Sequence, residues 1–143
     1  MTTNADTKIR LGSCLCKSIR FSVEGNPFSY AVCHCSNCKK FSGSSYMTNA
    51  FFAPNKVNIT LGEELVKKYA DNDTTSGNTL FRSFCSNCGC SLFLSSPTKT
   101  DWISACPYTL EDTADWVPDY QNRPEAKCAW VTSIGCLEEE GDS

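Results

Sequence analysis

The stretch Phe84-Cys85-Ser86-Asn87-Cys88-Gly89 decides the fold, because its two thiols are spaced as half of a four-thiolate metal site. The two-residue spacer lets both sulfurs and the turn amides face one ion, and Gly89 tolerates the backbone such a knuckle demands. The other half must come from elsewhere, and Cys14-Leu15-Cys16 offers it. On an extended segment residues two apart share a face, so Leu15 turns away while both sulfurs converge. Cys14, Cys16, Cys85 and Cys88 are therefore expected to hold a structural zinc that closes a long loop. The competing reading is two thiol pairs that pack as small hydrophobes or oxidise.

Cysteine usage frames this reading. Eleven of 143 residues are Cys, an odd number. Residues 1–10 are polar, with no apolar core of a secretory signal, so the chain is expected in the reducing cytoplasm, with the nucleus as the alternative. Disulfides are disfavoured there, and clustered thiols point to a soft metal. A net charge of -3 and the lack of clustered Lys and Arg argue against nucleic acid as a partner. No apolar run approaches the roughly 18 residues of a membrane helix. The length suits one domain, expected over residues 11–136, with a flexible leader at 1–10 and an acidic disordered tail at 137–143.

Outward from the knuckle the chain reads as short strands. Ile19, Phe21 and Val23 alternate with Ser18, Arg20 and Ser22 in the period of a half-buried strand, within two extended pieces over 11–24. Further strands are predicted at 28–35, 47–54, 57–61, 65–69, 80–84, 92–94 and 102–105. Residues 36–45 read as a thiol-bearing turn with a single helical turn at 39–42, and the one helix argued for is a brief one at 110–116. The expected fold class is mostly β, with small antiparallel sheets stapled by zinc and few short helices.

A second constellation is Cys33-His34-Cys35-Ser36-Asn37-Cys38. Cys33 and Cys35 face one way on an extended backbone, His34 faces the other, and the following turn swings Cys38 back. Three protein ligands leave a fourth position open, and an open position separates a catalytic zinc from a structural one. In the competing reading His34, the only histidine, closes the site as a fourth ligand. Cys90, Cys106, Cys128 and Cys136 are assigned no chemistry and are expected to be small buried side chains, with Cys90 close enough to compete for the structural metal. Lys39 and Lys40 are read as solvated, with attraction of a substrate carboxylate as the functional alternative.

The blocks GSCLCKSIRF (12–21), CHCSNCKKFSG (33–43) and FCSNCGCSLF (84–93), in this order, resemble the glutathione-dependent formaldehyde-activating enzyme family, also called the CENP-V/GFA family. The resemblance implies a β-tent fold, a structural zinc on Cys14, Cys16, Cys85 and Cys88, and a catalytic zinc on Cys33, Cys35 and Cys38. It also implies condensation of glutathione with formaldehyde, classed as a carbon–sulfur lyase activity. The run from Pro118 to Trp130 departs from the family pattern by lacking a histidine, which bears on the substrate.

Three functions stay open. The first is a zinc-dependent carbon–sulfur lyase-like enzyme acting on a small thiol adduct of glutathione type, formed with an aldehyde or related metabolite. The second is a zinc Lewis-acid lyase, dehydratase or isomerase on a non-thiol metabolite, and the third is a non-enzymatic zinc-stapled interaction domain. The expected partner is a small-molecule substrate, with glutathione as co-substrate and a homodimer left open.

Overall fold

A strand that alternates as Ile19, Phe21 and Val23 do must bury one face, and here two sheets bury one another. The computed structural model of the chain describes residues 7–138; residues 1–6 and 139–143 lie outside the description. Its elements are β1 (Ile9–Ser13), β2 (Arg20–Glu24), β3 (Ser29–Cys33), α1 (Ser36–Ser42), β4 (Met47–Phe52), β5 (Val57–Leu61), β6 (Val66–Asp71), β7 (Leu80–Cys85), β8 (Ser91–Ser95), β9 (Ile103–Ala105) and β10 (Tyr120–Asn122). Strands β1-β2-β5 form a three-stranded sheet, and β10-β3-β4-β9-β8-β7-β6 a seven-stranded one. The fold is mostly β, as expected. The larger sheet differs from a purely antiparallel reading at one edge, where β10 runs parallel to β3, pairing Tyr120 with Ala31 and Asn122 with Cys33.

The core lies between the sheets. Ile19, Phe21 and Val23 of the small sheet's side meet Tyr30, Ala50, Phe52, Phe93 and Ala105 of the large one. Phe21 and Phe93 meet edge to face with ring centroids 5.0 Å apart. Burial of each large side chain of this set contributes about 2 kcal/mol. The opposite face of the large sheet is fixed by register. Ala31 pairs with Asn49 and Cys33 with Met47, Phe51 pairs with Ser104, Ser104 with Leu94, and Leu94 with Arg82. This second face carries the site described below.

Several boundaries differ from the sequence reading. β1 starts at Ile9, inside the segment read as a flexible leader. Arg10 is buried there because its guanidinium stacks on Trp116 at 4.8 Å and donates to the Gly25 and Asp112 carbonyls, both at 3.2 Å. At the other end Leu137 and Glu138, read as the start of a disordered tail, donate backbone N–H groups to Pro118 and Asp119, both at 2.8 Å. Residues 139–143 of that expected tail, and 1–6 of the leader, lie outside the described residues.

The helix expected at 110–116 is absent. Leu110 instead bridges to Gly12, Asp112 takes a left-handed φ of 60°, and the Thr113 hydroxyl donates to the Pro107 carbonyl at 3.1 Å. Local side-chain bonding of this kind competes with a helix ladder. The single helical turn expected at 39–42 grows into α1, because Cys35 serves as its N-cap and Gly43 ends it in a left-handed conformation.

Candidate functional site

The two hairpins that carry the first thiol set belong to different sheets. Cys14 and Cys16 lie in the β1–β2 turn of the small sheet, while Cys85 ends β7 and Cys88 lies in the β7–β8 turn of the large one. Their four sulfurs lie within 4.8 Å of one another, with Cys14–Cys16 at 3.6 Å and Cys16–Cys85 at 3.9 Å. These separations bracket the roughly 3.8 Å edge of a tetrahedron with metal–sulfur bonds of about 2.3 Å. Each knuckle turns through a left-handed residue directly after its second cysteine, Lys17 with φ 66° and Gly89 with φ 80°. Backbone amides point at the sulfurs: Ile19 N donates to Cys14 Sγ at 3.3 Å, while Asn87 N and Cys88 N donate to Cys85 Sγ at 3.3 and 3.4 Å. The Asn87 side chain donates to Cys16 Sγ at 3.2 Å. The Cys16 thiol falls to about 5, first through hydrogen bonding to the Ser18 side chain and then to Asn87. Four convergent sulfurs with amide donors around them suit a closed metal site that joins the two sheets.

The second set sits on the far face of the large sheet. Cys33 ends β3, Cys35 caps α1 and Cys38 lies in its first turn, with all three sulfurs within 4.8 Å of one another. Cys38 N donates to Cys35 Sγ at 3.2 Å, and Asn122 Nδ2 of β10 to Cys33 Sγ at 3.5 Å. Hydrogen bonds from Cys33 and then Cys38 pull the Cys35 thiol down to about 2, with the Arg82 charge adding to them. Hydrogen bonding to Cys35 holds Cys33 above the ordinary thiol range, and hydrogen bonding to Cys33 and then Cys35 does the same for Cys38. A bound cation would draw off the protons the three thiols hold.

His34 does not join them. It is fully buried, its Nε2 lies 2.7 Å from Gln121 Oε1, and its backbone N donates to the Asn122 carbonyl at 3.0 Å. His34 therefore clamps β10 onto β3, and the closed-site reading with His34 as a ligand fails. Lys39 and Lys40 do not line the cleft beside the cysteines either. Lys39 Nζ donates to the Ala126 carbonyl at 2.6 Å, and Lys40 lines a separate hollow with Tyr69 and Asp71. Of the other thiols, Cys106 packs in the apolar cluster beside Cys33 and Cys38, where burial pushes it up to about 12. Cys90 is half-buried and donates to Ser91 O, Cys128 donates to Ser45 O, and Cys136 is half-buried.

Sequence reasoning missed a buried ion pair next to the second set. Arg82 Nε donates to Asp71 Oδ2 at 2.8 Å, with side chains only 5% and 7% exposed, and Asn37 Nδ2 bonds both Asp71 oxygens. Burial pushes the Asp71 carboxyl up, but the hydrogen bonds from Arg82, the Asp73 backbone and Asn37 outweigh it and hold the group below its ordinary value. Only β6–β7 pairing brings Asp71 near Arg82, so no local motif announced the contact.

Above Cys33, Cys35 and Cys38 lies a cleft of about 320 Å³. One wall is apolar, with Phe51, Leu94 and Trp102; the other is the hydroxyl- and amide-rich segment at 74–79, and Lys99 and Arg123 add positive charge. The arrangement places three sulfur donors at the base of a space that admits a small molecule.

No curated protein matches this sequence. Among solved structures, that of a Rhodobacter sphaeroides protein has a similar fold, with a TM-score of 0.57 and 18% identity, over 71% of this chain and 88% of that one. A family model described as glutathione-dependent formaldehyde-activating enzyme matches residues 9–126, a span that takes in both thiol sets and the whole of the two sheets. On that match the chain belongs to the glutathione-dependent formaldehyde-activating enzyme family.

Proposed function

We propose that the protein is a zinc-dependent enzyme of carbon–sulfur lyase type that acts on a small thiol adduct of glutathione type at Cys33, Cys35 and Cys38. The observation that carries this reading is that three converging sulfurs, one short of a complete tetrahedral set, lie at the base of a cleft of about 320 Å³. The four-sulfur set between the sheets is the structural counterpart, complete without a substrate. Family membership supports the same class of reaction.

Zinc bound at the second set supplies Lewis acidity toward a thiol or a carbonyl oxygen. The chain's own groups prepare the site for it. Asn122 and the Cys38 amide donate to two of the sulfurs, and the Arg82 guanidinium offsets their negative charge. Lys99 and Arg123 attract the carboxylates of a glutathione-type peptide, while the segment at 74–79 offers hydroxyl and amide partners for its backbone. Clustered thiols of this kind suit a reducing compartment, the cytoplasm.

The test is zinc content together with turnover of glutathione plus formaldehyde, followed by NMR, for the native chain, Cys35→Ser and Cys85→Ser. Two zincs are expected natively. Cys35→Ser should keep one zinc and the fold but lose turnover, and Cys85→Ser should lose metal and fold together. Full turnover in Cys35→Ser would overturn the assignment.

A further inference from the structure

The cleft over Cys33, Cys35 and Cys38 has a wall that a formaldehyde adduct leaves unused. Phe51 and Leu94 both pair with Ser104, so the three share one face of the sheet, and Trp102 precedes Ser104 by two residues. Phe51 and Trp102 meet edge to face, with centroids 5.5 Å apart and planes at 70°. Trp102 and Leu80 also pack on the cluster formed by Cys33, Cys38 and Leu94, which makes the apolar surface continuous with the sulfurs. Phe51 and Trp102 are only half-buried and line the cleft. Beneath them Ser104 donates to Asn49 at 3.4 Å, so the polar groups under the wall satisfy each other.

An adduct of formaldehyde ends in a hydroxymethyl group and offers this wall almost no apolar area. An aromatic ring would bury area against both side chains and meet their edges and faces at favourable angles. Resting on the thiol-adduct reading above, we propose that the substrate is an adduct whose carbonyl-derived carbon bears an aromatic or bulky apolar substituent, recognised by Phe51, Leu94 and Trp102. The chemistry balances without a further reactant. A thiol S–H adds across the aldehyde C=O, forming one C–S bond and placing the proton on the carbonyl oxygen; the reverse breaks that C–S bond and returns thiol and aldehyde.

Calorimetric binding to the zinc-loaded protein tests this with stable thioethers. S-Benzylglutathione should bind at least about tenfold tighter than S-methylglutathione. Phe51→Ala and Trp102→Ala should each remove most of that advantage, read as the ratio of the two affinities in the same variant. Should Trp102→Ala fail to fold, Phe51→Leu, which keeps an apolar side chain but loses the ring, is the second variant. Equal affinities for the two thioethers would overturn the aromatic wall and leave the glutathione reading standing. Binding of benzyl mercaptan but of neither peptide thioether would remove glutathione and keep the wall. No binding of any of the three would overturn both.

Discussion

Arg82 reaches from one structural requirement to the other: its Nε holds Asp71 at 2.8 Å and its Nη1 lies 3.8 Å from Cys38 Sγ. The same guanidinium stacks over Phe41 at 5.5 Å. Replacing it by an apolar side chain leaves the Asp71 carboxylate buried without its cation. Arg82→Met is expected to destabilise the protein by about 3 kcal/mol in chemical denaturation. The double variant Asp71→Asn, Arg82→Met should recover much of that loss. It should not recover turnover, because Cys38 still lacks the neighbouring positive charge.

The same pair gives a pH dependence. The folded-state value of Asp71 lies below its unfolded one, so its contribution is present above the unfolded value of about 4 and is lost as pH falls through the folded value. The stability difference between the native chain and Asp71→Asn should therefore be constant from neutral pH to about pH 5. It should shrink as pH falls below about 4. A gap that widens in acid would contradict the assignment. Denaturant midpoints measured on both proteins in matched buffers check this.

The two thiol sets should part company under chelation. The set at Cys33, Cys35 and Cys38 offers three donors beside an open cleft, whereas the other offers four between two sheets. A moderate chelator is expected to release one zinc per chain with the far-ultraviolet circular dichroism unchanged. The second zinc should leave only as that signal collapses. Simultaneous release of both metals would show that the sets are not independent.

Gly12 owes its place to crowding. A Cβ at this position would lie 2.5 Å from the Phe21 ring and 2.9 Å from Leu110. Gly12→Ala should cost about 2 kcal/mol through displacement of a core aromatic. Gly135→Ala, where a Cβ meets nothing within 4 Å, is the matched control and should change stability by less than about 0.5 kcal/mol. Thermal midpoints of the two variants make the comparison.

The thiol sets were legible because ligand spacing is a local property: two residues on a strand or a knuckle determine which sulfurs share a face. The strands at 20–24, 47–52 and 57–61 were legible for the same reason, through alternation and the turn residues beside them. What escaped was decided at a distance. β10 is three residues with no apolar alternation, and it exists because β3 and His34 supply its partners. α1 was underestimated because its cap is a cysteine sulfur, outside the usual set of capping oxygens. The expected helix at 110–116 instead gives its Glu111 N–H to the Leu11 carbonyl and its Thr113 hydroxyl to that of Pro107. Which aromatics line the cleft escaped as well, because Phe51 and Trp102 meet only through the pairing of β4 with β9.

The parallel pairing of β10 with β3 sets an order of assembly on the ribosome. Every donor of the four-sulfur set has been synthesised by Cys88, so the clasp between the hairpins can close while the remainder is still being made. The three-sulfur set is younger in this sense than its own sequence position implies, since Asn122, which donates to Cys33, arrives 89 residues later. At about 5–20 residues per second that interval lasts several seconds or more, during which Cys33, Cys35 and Cys38 lack one side of their enclosure. All four sulfurs of the first set are thus available before the second set is enclosed.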